Sequence, residues 1–243
     1  VAGPAPALQI AAPAADVEIV DASAYAFAHG LRHTRATLRA WQGAPGRVVR
    51  GWALGSALAA AGLLAAVWIV ASLDHGYQQV LQLQPPFEVG DLHNVAHVLA
   101  SNMLVLALHA MACVAGFIAG SSLPLQAQHH RGVSRWLHQH GGRVAIAFVV
   151  AATTFSLSAQ AYLIGRSLAG VSGFLRVSPG LLLLGVLPHA VPELVALFLP
   201  LAAWIIASRR GEWEQLLAAT VVTVALAVPV LVLAAFVEVY LSP

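Results

Sequence analysis

The chain contains no lysine and only one cysteine, Cys113. A lone cysteine excludes an intrachain disulfide and gives no basis for a cysteine-based metal site. Charge is scarce as well: 9% of the 243 residues are charged, against about 25% in a typical soluble domain. No stretch between the apolar runs is long enough for an independent catalytic domain. No nucleotide-binding glycine loop and no nucleophile constellation is present. Residues 1–20 lack a basic segment ahead of their apolar stretch, so no cleavable signal peptide is expected. The twelve basic residues are all arginine, which fits codon bias in a GC-rich genome. Most of them flank apolar runs, so the pI near 9.1 reports membrane topology and not nucleic-acid binding.

What is present is hydrophobic. Apolar residues make up 59% of the chain, and the mean hydropathy is +0.80. These values predict an all-α polytopic membrane helix bundle, with the lipid bilayer as its solvent. The apolar runs place five spans at about 52–73, 96–120, 144–164, 181–208 and 216–240. Residues 1–20, rich in Ala, Pro and Val, read as a weakly ordered tail. Residues 22–42 read as an amphipathic helix, with Phe27, Leu31, Thr34, Leu38 and Trp41 on one face and Arg32, Arg35 and Arg39 on another. Such a helix either lies on the membrane surface or packs beneath the bundle. The chain therefore divides into an amino-terminal segment, 1–50, and a transmembrane bundle, 51–243.

Loop charge sets the expected orientation. The first loop carries Asp74, Glu88 and Asp91 and no basic residue. Residues 121–141 carry Arg131, Arg135, His129, His130, His138 and His140. The amino terminus is expected inside a bacterial cytoplasmic membrane. Arg166 and Arg176, in a loop expected at 165–179, fall on the opposite side from the other ten arginines.

The fourth span carries Leu187-Pro188-His189-Ala190-Val191-Pro192-Glu193-Leu194. An acid at the centre of a span costs about 2.5–3.5 kcal/mol to insert. His189 and Glu193, at i and i+4, share a helix face and can pair. The flanking prolines remove backbone donors, so this helix is expected to be broken or kinked. With this topology Asn102, Gln160, His189, Glu193 and Glu238 converge on one depth in the outer half. Three readings of the convergence stand: a hydrogen-bond network that sets helix register, a proton or ion relay, and a metal site built on His189, Glu193 and Glu238. The metal reading lacks a further good ligand and the two-histidine helix pattern, so no metal and no cofactor is expected. Asn102, His109, Gly116 and Gly120 share a face of the second span around Cys113. The Gly116-x-x-x-Gly120 spacing is expected to let another helix approach closely.

Four segments in order resemble the stage II sporulation protein M family. They are Ala100-Ser101-Asn102 followed by Gly116 and Gly120, then Ala161 to Gly170, then Leu187 to Leu194, then Ala234 to Pro243. The third is similar to the family's Leu-Pro-His-Gly-x-x-Glu-Leu core, with Ala190 in place of the glycine. In the second, Tyr162 or its neighbour replaces an asparagine. His189, Glu193 and Glu238 match motif positions, and the resemblance covers about residues 96–243. It implies a membrane scaffold for peptidoglycan-remodelling partners, or a component accompanying production or export of circular bacteriocins. The expected function is a non-enzymatic membrane scaffold or subunit of an envelope or export complex, working with a protein partner or as a homo-oligomer. A channel or transporter subunit using the His/Glu site is the alternative, and an intramembrane hydrolase is third.

Overall fold

The computed structural model describes residues 22–74, 92–122 and 132–241. The expected tail, the first loop with Glu88 and Asp91, and His129, His130 and Arg131 lie outside the described residues, as do the side chains of Arg135, His138 and His140. Among the described residues there are six helices and no strand. They are α1 (Ala22–Gln42), α2 (Pro45–Leu73), α3 (Leu92–Phe117), α4 (Gly132–Leu175), α5 (Pro179–Arg210) and α6 (Leu216–Leu241). A π-helical turn, Ile118–Ser122, continues α3, and a 3-10 turn, Trp213–Gln215, leads into α6. Five segments are long and apolar enough to cross a membrane: Pro45–Leu73, Leu92–Ser121, Ile146–Leu175, Pro179–Arg210 and Trp213–Tyr240.

The helix ends follow local chemistry. Pro45 opens α2 and Pro179 opens α5, at the first-turn positions where a missing N–H costs nothing. Ser178 caps α5 by accepting from the Leu181 N–H at 3.4 Å. Gly211, at φ 71°, closes α5. The Glu212 N–H then reaches back to the Ala207 carbonyl at 2.9 Å, a Schellman closure beside Arg209 and Arg210.

The third span differs from its sequence expectation. α4 continues as helix to Leu175, so the expected loop at 165–179 shrinks to three residues, 176–178. Arg176 takes the left-handed conformation at φ 55°, and the Val177 N–H closes on the Ser172 carbonyl at 3.1 Å. Arg166 therefore lies within the helix. Its Nε meets Asp74 Oδ2 at 3.2 Å, and its guanidinium stands 5.7 Å from the Tyr162 ring centre. The ion pair offsets the arginine that sits against the charge rule on this side.

α5 is the central element. It packs against α2, α3, α4 and α6, and 56% of its most apolar stretch is buried, against 6% for α4. The buried block is Ala196–Trp204 with Ala207, one to three turns beyond the His-Glu stretch. Ser56, Ala60, Leu63, Val67 and Ala71 form the stripe by which α2 meets the bundle. Where α4 crosses α2, a Cβ on Gly165 would stand 2.6 Å from Val70 Cβ and 2.9 Å from the Val67 carbonyl. Only glycine permits that approach.

α1 packs beneath the bundle against α6, α2 and the 3-10 turn. Its buried face is Gly30, Thr34 and Thr37, while Leu31 is exposed with Arg32, Arg35 and Arg39. Of the expected face, Thr34 is buried and Leu38 and Trp41 are half-buried, while Leu31 is exposed. Small residues let Phe117 and Leu217 seat against Gly30, and His33 Nε2 meets Glu214 Oε2 at 2.9 Å.

Candidate functional site

α5 is helical without interruption from Pro179 to Arg210, with Pro188, Pro192 and Pro200 inside it. Each proline leaves a carbonyl one turn earlier without its helical donor. In a bilayer such carbonyls depend on neighbouring helices for compensation. The carbonyls so freed are those of Leu184, Pro188 and Ala196. Around Pro200, three side chains from two helices bond other carbonyls of α5. Ser56 of α2 donates to the Val195 carbonyl. His109 of α3 bonds the Leu197 carbonyl through Nδ1 at 2.9 Å. Cys113 of α3 donates to the Pro200 carbonyl at 3.1 Å. Because a carbonyl only accepts, His109 carries its proton on Nδ1 in this contact. His109 is thus a histidine hydrogen-bonded within the bundle. Ser56 was not singled out from sequence. Its place in the 52, 56, 60, 63, 67 stripe of α2 was the available signal.

The same face of α3 continues to Gly116 and Gly120. A Cβ on Gly116 would stand 2.7 Å from Trp204 Nε1, and one on Gly120 would overlap the Trp213 ring. The two glycines therefore make room for indole rings, where the spacing alone suggested backbone meeting backbone. Trp204 Nε1 is buried without a hydrogen-bond partner.

The polar residues expected at one depth come together only in part. Glu193 of α5 interacts with Asn102 of α3 and Glu238 of α6. At 1.5 Å per residue these three lie about 26–33 Å from the Arg210 end of the bundle, so their depths agree. The Asn102 amide nitrogen is buried and has no formed hydrogen bond, so it approaches Glu193 without closing one. Across helices, Glu193 is thus within electrostatic range of Glu238 and approached by Asn102. His189 is half-buried and makes an interaction of its own.

Gln160 stands elsewhere. It donates to Ser156 Oγ on its own helix at 3.2 Å. With His109, Thr153 and Ser156 it lines a mostly apolar cleft of about 470 Å³ between α3 and α4. The expected convergence is therefore two places: the neighbourhood of Glu193 on α5, with Asn102 and Glu238, and a lateral cleft at Gln160. Among the described residues no three or more His, Cys, Asp or Glu side chains are grouped to hold a metal, so His189, Glu193 and Glu238 do not form the ligand set considered from sequence.

Fold and site together define a multi-pass helical membrane protein built around one proline-bearing central helix. No family model, curated protein or solved structure matches the chain.

Proposed function

We propose that this protein is a non-enzymatic integral membrane scaffold or subunit of an envelope or export complex, of the kind the stage II sporulation protein M resemblance implies. One observation carries the reading. One face of α4 packs on α2 and the rest of the helix is largely exposed, yet its cleft-facing side bears Thr153, Ser156 and Gln160. Polar side chains facing hydrocarbon are costly, and within membranes they serve as interhelical contacts. A second protein helix seated against α4 would cover them. The Cys113, His109 and Ser56 contacts support the same reading, because these groups are engaged in holding α5 in place and not left to line a passage.

The test is purification of the tagged protein from its native membrane in mild detergent, with mass spectrometry of what accompanies it. A stoichiometric envelope or export partner, lost in Ser156→Leu/Gln160→Leu, is the expected result. A protein that emerges alone and monomeric, with both variants unchanged, overturns the proposal.

A second reading rests on Glu193, which lies within electrostatic range of Glu238 and is approached by Asn102 inside three apolar helices. Two carboxylates and an amide form an oxygen-rich set that suits a cation, as in a channel or transporter subunit. Reconstituted vesicles that lose cation flux in Glu193→Gln while keeping their melting temperature would favour it over the scaffold.

A further inference from the structure

The arginines and tryptophans at the Arg210 end of the bundle are not used by the proposed function. From residue 22 to residue 73 the chain has five arginines and no acidic residue. α1 and α2 meet there in a tight corner, with the Ala44 N–H on the Trp41 carbonyl at 3.1 Å. Behind the corner lies a cavity of about 300 Å³, walled by Leu38, Trp41, Pro45, Val49, Trp52 and Val222 among others. The walls are almost wholly apolar, and Trp41 and Trp52 meet edge to face at 5.3 Å. Ligand pockets run from about 300 to 1,000 Å³, so this one has room for part of a single chain.

Depth and charge identify the occupant. Trp52 and Val222 lie about 9–10 Å inside the ends of α2 and α6. That is the level at which headgroups give way to acyl chains, and the level tryptophan prefers. Arg39 and Arg47 flank the corner within one turn of the cavity walls and are exposed, as are Arg35 and Arg50. The acids brought nearest are Glu212 and Glu214, of which Glu214 is paired with His33. An apolar slot at the headgroup boundary under a basic rim fits a molecule with a hydrocarbon chain and a phosphate. The geometry points to a binding site for an anionic glycerophospholipid, with a segment of acyl chain in the α1–α2–α6 cavity and the phosphate on the arginines of the corner.

The experiment is native mass spectrometry of the delipidated protein titrated with phosphatidylglycerol or phosphatidylcholine of identical chains. Phosphatidylglycerol should be retained preferentially. Each arginine near such a headgroup contributes about fivefold in affinity, so Arg39→Gln/Arg47→Gln should weaken phosphatidylglycerol about thirtyfold and leave phosphatidylcholine unchanged. Val49→Phe, which fills the cavity, should lose phosphatidylglycerol with all arginines present. Equal retention of the two lipids by the unaltered protein overturns the site. So does a folded Val49→Phe that binds as before, since charge alone would then suffice. A variant-independent arm uses phosphatidylglycerol with a diazirine in its acyl chain. Cross-links within 38–52 or at Val222 support the site, and cross-links confined to other surfaces overturn it.

Discussion

Replacing Gly165 by alanine tests the packing argument at its tightest point. The new Cβ would stand 2.6 Å from Val70 Cβ and 2.9 Å from the Val67 carbonyl, whereas carbon atoms settle at about 3.5–4.0 Å. The Val67 carbonyl belongs to a helix backbone and cannot rotate away, so α2 and α4 must part by about 1 Å. Overpacking of this kind costs about 1–3 kcal/mol. Alanine returns about 1 kcal/mol of helix propensity, which leaves a net loss of about 0–2 kcal/mol. Gly62 is the control, because a Cβ there meets nothing within 4 Å. Gly62→Ala should gain up to about 1 kcal/mol from propensity alone. Two identical substitutions in the same bundle should therefore differ by about 1–3 kcal/mol, read as a difference of about 3–10 °C in thermal unfolding followed by circular dichroism in detergent. If Gly165→Ala melted with or above Gly62→Ala, the close approach of α4 to α2 would be wrong.

Other outcomes follow from the same contacts. His109→Phe should lower stability by about 0.6–1.7 kcal/mol through loss of the bond to the Leu197 carbonyl, measured by unfolding in mixed micelles. Cys113 is fully buried and should resist a membrane-permeant maleimide in the folded protein, reacting only after denaturation. Arg176→Gly should stabilise by up to about 1 kcal/mol, because glycine occupies the left-handed region without a Cβ penalty; a lower melting temperature would contradict the turn described for 176–178. Gly116→Leu should destabilise strongly by displacing Trp204, and an unchanged melting temperature would refute the packing of α3 on α5.

Composition alone carried the fold class. Long apolar runs in water-excluding numbers leave the backbone no option but helices, and so all five crossings were legible. Boundaries were legible where an abrupt polar change marks them, as for the span expected at 181–208, within two residues of the α5 ends at Pro179 and Arg210. They were not at 165–175, where the stretch carrying Arg166 read as loop and the helix persists, with Arg166 paired to Asp74. The candidate residues divide in the same way. The face shared by His109, Cys113 and Gly116 could be read from periodicity, since helical spacing is geometry internal to one segment. Periodicity also placed Asn102, Gln160 and Glu193 at comparable depth.

What the sequence by itself determined is thus which residues share a face and how deep each lies, because both depend only on the rise and turn of a helix. Which faces meet was decided by the tertiary structure alone. In a uniformly apolar chain the contrast that separates buried from exposed positions in a soluble protein is missing, for lipid and core are equally oily. Only the packed bundle therefore shows that Ala196–Trp204 is the buried block, that Gln160 turns to the α3–α4 cleft, and that Glu193 lies in the neighbourhood of Asn102 and Glu238 on two other helices.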